Sequence, residues 1–167
     1  MLQDRTDIRN YAEDGFQHVC DIEHYKDEWI YKNINTSVMY DSHDSWVYAV
    51  TVDDKIKKIG ESGHPLGKRS DTTNQPKSGT DNRLGRYRKG DGTDARCRQQ
   101  LKKYTDPTTP HTVSIYAKKC PIVQTEQTIA GMTISVQSTI HKQLEKEYLD
   151  YYKRSVGRYP DLNTGRA

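Results

Sequence analysis

The sequence predicts an α+β fold, an antiparallel sheet flanked by helices. Three observations predict it. The run Trp46-Val47-Tyr48-Ala49-Val50-Thr51-Val52 is aromatic and β-branched, and after Asp53-Asp54 a second run, Lys55 to Gly60, returns as the other strand of a hairpin. Thr112-Val113-Ser114-Ile115-Tyr116-Ala117 alternates apolar and polar, the pattern of a half-buried strand. Ile140, Leu144, Tyr148 and Tyr151 recur at spacings of four, four and three, an apolar stripe on a helix that starts at Ser138 or Thr139 and runs to about Arg154.

Taken in order, Ile8, Tyr11, Phe16, Val19, Ile22, Tyr25, Trp29 and Ile30 are three to five residues apart, apart from one adjacent pair. That is roughly a helical period, and it predicts an N-terminal helical segment over residues 1–45, divided at Gly15 and ending in a polar loop from Asn33 to Ser45. In the second hairpin strand Ile56 and Ile59 fall on opposite faces by strict alternation. Gly63-His64-Pro65-Leu66-Gly67-Lys68-Arg69 suits a turn into a short helix, since Pro65 is tolerated in a first turn. Residues 73–92 read as a long basic loop, and Thr93-Asp94 caps a helix to Tyr104. Ile122 to Val136 reads as a hairpin turning at Ala130-Gly131.

The chain has 167 residues, so it forms one domain or one with a short appendage. No stretch approaches the roughly 20 apolar residues of a membrane span, and Met1-Leu2-Gln3-Asp4-Arg5 does not open a signal or transit peptide, so an intracellular (cytoplasmic) protein is expected. Three cysteines without a Cys-x-x-Cys pair argue against a disulfide framework and a thiolate zinc site. His18, Cys20 and His24 lack a fourth metal ligand.

Charge is strongly uneven. Residues 1–54 carry 4 basic and 12 acidic side chains, whereas residues 55–103 carry 14 basic and 5 acidic. A basic block of that size is the electrostatic footprint of a phosphate-backbone binder. Arg83, Arg86, Arg88 and Arg96, with Lys89 and the interleaved Tyr87, are the expected nucleic-acid contacts, because guanidinium groups meet phosphate and guanine edges in a bidentate way.

Tyr48 on the first hairpin strand, Lys58-Ile59-Gly60 on the second, Ser62 just after, Arg69 beyond it and Glu145 on the late helix together resemble the GIY-YIG nuclease family. Trp46-Val47-Tyr48 stands for the family's first motif and Lys58-Ile59-Gly60 for its second, ten residues from Tyr48. The resemblance covers residues 46–69 and 138–163 with the strand at 112–118 between them. It departs from the family in Lys58, where most members have tyrosine, and in the residues before Tyr48. Lysine at that position, with a basic insert at 73–104 and a short chain, is similar to a small type II restriction endonuclease branch.

The resemblance implies a three-stranded antiparallel sheet flanked by helices over 46–167. It implies catalytic roles for Tyr48, Lys58, Arg69 and Glu145, with Glu145 holding one Mg²⁺ (or Mn²⁺), and support from Ser62, His64 and Asn163. Phosphodiester hydrolysis needs a base for the attacking water and positive charge at the phosphate. Tyr48 is a poor base at neutral pH unless a cation such as Lys58 stabilises its phenolate, and either it or a lysine serves as base. Arg69 suits a phosphate oxygen, and Glu145 a hard cation that keeps several waters. The expected partner is double-stranded DNA, cut by a homodimer on a palindromic site; Phe16, Val19, Trp29 and Ile30 are a candidate dimer contact, although packing against the chain's own sheet is the first use expected of them. The alternatives are a homing-type nicking enzyme, a DNA-binding module without turnover, and an RNA binder stacking bases on Tyr87.

Overall fold

The computed structural model describes residues 3–90 and 92–163. Its frame is a five-stranded antiparallel sheet of β1 (Gln17–Tyr25), β2 (Glu28–Lys32), β3 (Trp46–Val52), β4 (Lys55–Ser62) and β5 (Val113–Lys119), in the order β2-β1-β5-β3-β4. The expected sheet of three strands is therefore wider by two. The added strands come from the segment expected to be helical.

That segment holds a 3-10 helix (Ile8–Asp14), which ends at Gly15 with φ +98°, then the hairpin of β1 and β2, then a four-residue helix α1 (Thr36–Met39). Its helical spacing has a local cause. The pairing of β1 with β5 slips between His18 and Cys20, so Val19 is an extra, bulged residue, and Val19 and Cys20 are both fully buried. The Val19 carbonyl accepts instead from Asn35 N–H at 2.8 Å. A bulge breaks period-two alternation and leaves gaps of three that imitate a helix.

The hairpin of β3 and β4 forms as expected. Asp53 and Asp54 both have positive φ, 50° and 67°, as a tight type I′ turn requires. Asp53 offsets that strain by accepting from Thr112 N–H at 2.9 Å and bonding His111 Nδ1 at 2.6 Å. The second strand also contains a slip: Val50 pairs with Lys58 but Thr51 with Ile56, which leaves Lys57 bulged. The bulge moves Ile56 onto the same face as Ile59, where both join one apolar cluster, correcting the opposite-face expectation.

β3 is buried on both sides along its whole length. On one face Trp46, Tyr48 and Val50 pack beneath α2 (Arg83–Lys89) and α3 (Gly92–Thr105), with Leu84, Tyr87 and Leu101. On the other, Val47 and Ala49 meet Leu149 and Tyr152 of α4 (His141–Val156). The segment 73–92 is thus not wholly loop. Asn82 accepts from Gly85 N–H at 2.7 Å and caps α2, which puts an arginine-rich helix on the sheet. The expected helix at Pro65 is absent, and Arg69 instead forms an isolated bridge with Pro76. Thr93, half of the expected cap of α3, has a side chain outside the described residues. β6 (Ile122–Ile129) and β7 (Met132–Thr139) form a separate two-stranded sheet.

Candidate active site

Tyr48 lies directly opposite Gly60 on the edge strand β4. Its ring lies across that glycine toward the edge, since a Cβ on Gly60 would stand 2.5 Å from Tyr48 Cζ. Lys58 shares this face, and α2 brings Arg83 and Tyr87 down on it. Tyr48 Oη is 3.1 Å from Tyr87 Oη, and Lys58 Nζ donates to Tyr87 Oη at 3.2 Å. Lys58 therefore reaches Tyr48 through a second phenol. Arg83 Cζ stands 5.7 Å from the Tyr48 ring centre, while Nη2 donates to the Glu61 carbonyl at 2.9 Å and Nη1 lies 3.4 Å from Asp94. Its buried Nε has no partner among the described residues.

Electrostatics follow from this crowding. Burial works against the charge on Lys58, but the neighbouring Tyr48, Cys97 and Asp94 outweigh it and hold its pKa above the ordinary lysine value. Burial likewise opposes the Arg83 charge and is overcome by Tyr48 and Asp94. Burial, reinforced by Tyr48, drives the Tyr87 phenol far up, so it stays protonated and free to donate. Two cations thus flank a pair of phenols.

The opposite face of β4 meets the start of α4. His141 Nε2 is 3.3 Å from Glu61 Oε2, and its Nδ1 is 3.2 Å from Ser45 Oγ. Glu145, half-buried, follows one turn later on the same side of α4. The edge at Gly60-Glu61 thus has Tyr48, Lys58 and Arg83 on one side and Glu61, His141 and the Glu145 turn on the other.

Arg69 is placed elsewhere. It is not on a helix, and its guanidinium lies 4.5 Å from the Tyr40 ring centre, lining a cleft of about 500 Å³ with Ile34 and Thr73. Ser62 and His64 form a local turn, Ser62 Oγ donating to the His64 carbonyl at 2.7 Å and accepting from His64 N–H at 3.1 Å. Asn163 braces the edge strand, accepting from Ile59 N–H at 2.9 Å and donating to the Ile59 carbonyl at 2.7 Å.

Of the expected nucleic-acid contacts, Tyr87 is 1% exposed and closed off from stacking on a base. Arg88 donates to the Pro76 carbonyl at 2.5 Å. Arg86 is half-buried and Arg96 exposed, and neither side chain makes a hydrogen bond or ion pair among the described residues, while Lys89 is exposed at the end of α2. His18 bonds Asp21 at 2.8 Å, Cys20 is buried, and His24 packs on Trp29, so these three form no ligand set.

No family model matches the sequence, and no curated protein matches it. Solved structures do. A mutant of bacteriophage T4 EndoII matches at 13% identity and a TM-score of 0.54, over 94% of this chain and 98% of that one. The chain shares its fold with EndoII. Restriction endonuclease HPY188I, in complex with product DNA, matches at 20% identity and a TM-score of 0.48, over 96% of this chain and 87% of that one.

The approach of Arg83 and Tyr87 to Tyr48 is what sequence reasoning missed. A signal was present: Asn82 followed by Arg83-Leu84-Gly85-Arg86-Tyr87 sets a cap, an arginine and a tyrosine four apart on one helical face. The Glu61–His141 pair gave no such signal, because 80 residues separate its members.

Among the described residues no three His, Cys, Asp or Glu side chains gather to hold a metal ion alone. Glu145 is a single hard oxygen donor, and such a site fits an ion that takes its remaining ligands from water and a substrate phosphate. No helix of the described residues is long and apolar enough to cross a membrane.

Proposed function

We propose that this chain is a divalent-metal-dependent endonuclease of double-stranded DNA, of the GIY-YIG kind and restriction type. One observation carries the reading: a tyrosine at a sheet edge, held by a second phenol, with a lysine and an arginine against the pair. Tyr87 Oη accepts from Lys58 Nζ and stands 3.1 Å from Tyr48 Oη, so one chain of hydrogen bonds joins the lysine to the Tyr48 hydroxyl. Tyr48 is the group that takes a proton from the attacking water as its oxygen bonds to phosphorus and the bridging oxygen departs.

Arg83, rather than Arg69, is the cation over that centre, and its Nε–H, without a partner among the described residues, suits a non-bridging oxygen. Glu145 would hold Mg²⁺ or Mn²⁺, which supplies positive charge as negative charge builds on the phosphate. Tyr48 is 1% exposed, so a water reaches it only when α2 shifts from the sheet. Arg86, Lys89 and Arg96 present positive charge to the duplex backbone. One such site attacks one strand, so cutting both strands of a palindrome takes two copies.

The test is a sequenced plasmid incubated with Mg²⁺ or with EDTA, using the wild type, Tyr48→Phe and Glu145→Gln. Fragments with fixed ends that require Mg²⁺ and disappear in both variants are expected, with Glu145→Gln still binding DNA in Ca²⁺. Nicked circles as end product would favour the homing-type enzyme, and binding without cleavage the non-catalytic module. Full activity in Glu145→Gln would sink its assignment as metal ligand.

A further inference from the structure

Between Cys120 and His141 the chain leaves the body. β6 and β7 pair with each other throughout, from Ile122 with Thr139 to Ile129 with Met132, and with no strand of the five-stranded sheet. All their residues are exposed except Val136, which is half-buried. The register nevertheless sorts the side chains. Val123, Ile129, Met132, Ile134 and Val136 share one face with Thr125, Gln127 and Ser138, whereas Gln124, Glu126 and Gln137 lie on the other, whose one aliphatic residue is Ile122. Ile129 is 56% and Met132 65% exposed. Such sorting is the mark of a strand pair with one covered face, and a lone two-stranded ribbon is marginal in water.

We propose that this arm is the contact through which two copies of the chain hold each other, apolar face on apolar face about a two-fold axis. The proposal rests on the nuclease reading for its purpose and on the arm alone for its existence. Three observations choose the occupant. Residues 120–140 contain one charged residue, Glu126, and no lysine or arginine, in a chain that is 29% charged, so a phosphate backbone has nothing there to meet.

A two-fold contact sets each face against itself, and an uncharged, largely apolar face is complementary to its own copy. The arm is also rooted at the site: Cys120 N–H donates to the Ser45 carbonyl at 2.8 Å, and His141 opens the helix that bears Glu145. A contact made there fixes the separation of two sheet edges, as a pair of cuts at fixed positions requires.

The N-terminal segment, the other candidate contact, is used as first expected: Phe16, Val19 and Trp29 are buried in the chain's own core. Eight-residue strands at about 3.4 Å per residue give an arm face roughly 27 Å long. Two strands wide, it covers on the order of 300 Å² per copy, well short of the roughly 800 Å² of a standard interface. The dimer is accordingly weak alone and strengthened where DNA gathers both copies.

Sedimentation of the whole chain over a wide concentration range, with and without a duplex, tests this against Met132→Lys with Ile134→Lys. The wild type is expected to dimerise reversibly. The double variant, which sets four lysines together, is expected to raise the dimer Kd at least about tenfold with its thermal transition unchanged. A wild type that stays monomeric under all conditions overturns the proposal, as does a variant that dimerises like the wild type. A variant that still dimerises but loses DNA affinity would assign the arm to DNA instead. Sedimentation without DNA needs no turnover, so failure of the nuclease reading and failure of this contact are seen separately.

Discussion

Gly60 and Tyr48 cannot both carry a Cβ and keep their places. A Cβ on Gly60 would stand 2.5 Å from Tyr48 Cζ and 2.6 Å from its Oη, closer than any such contact survives. The glycine is there for the tyrosine ring, and it lets the phenol cross the edge strand to meet Tyr87.

Gly60→Ala is therefore expected to displace the Tyr48 ring. Overpacking of this kind costs about 1–3 kcal/mol, and a shift of about 1 Å in a reacting group costs on the order of 100-fold in rate. Thermal melting should fall modestly while single-turnover DNA cleavage falls steeply. A variant with full cleavage would show that Tyr48 does not work from this position.

Arg83 and Arg69 make opposite claims on the phosphate, one from geometry and one from spacing. Arg83→Ala should lower single-turnover cleavage by about 10²–10³, the usual loss when one charge-stabilising donor is removed, and Arg69→Ala by less than about tenfold. Arg83→Lys retains the charge near Asp94 and separates loss of folding from loss of the fork geometry. The reverse ranking would restore Arg69.

DNA affinity should fall with salt. Removing Arg86 and Arg96 together should reduce the slope of log K against log salt by roughly 2, at about 0.9 per phosphate contact. Arg88→Ala should leave the slope nearly unchanged, because its guanidinium is engaged by the Pro76 carbonyl. Titrations at several salt concentrations decide between these outcomes.

Asp21 ties three parts of the sheet together. Its burial favours the neutral acid, but bonds from Ser114 Oγ at 2.6 Å, Asn33 Nδ2 at 2.8 Å and His18 Nε2 at 2.8 Å outweigh it and hold the pKa below the ordinary carboxylate value. Its stabilisation is present above about pH 4, the unfolded value, and is lost as pH falls through the lower folded value. Asp21→Asn should cost about 2 kcal/mol at pH 7, and the gap to wild type should close in acid. Denaturant melts from neutral to acid pH measure it.

The sequence by itself determined the central hairpin, because Asp53-Asp54 sets the turn and the aromatic, β-branched run from Trp46 favours a strand; burial of that strand on both sides came from the fold. It determined α4, whose apolar residues keep a true helical period, though not its start, since Ser138 and Thr139 end β7 and the helix opens at His141 without a side-chain cap. It also determined the β6–β7 hairpin, whose Ala130-Gly131 turn takes positive φ at both residues as a two-residue loop demands. It also marked the basic block and the ten-residue spacing of Tyr48 and Lys58.

Tertiary structure alone decided the rest. One bulged residue, Val19, made a strand read as a helix, and another, Lys57, put Ile56 and Ile59 on one face, since a bulge depends on the partner strand and leaves no local trace in composition. The arginine over Tyr48 was settled the same way. Arg69 has the right distance along the chain, but Arg83 lies on the helix whose Leu84 and Tyr87 are buried against the sheet, and packing, not spacing, sets which guanidinium arrives.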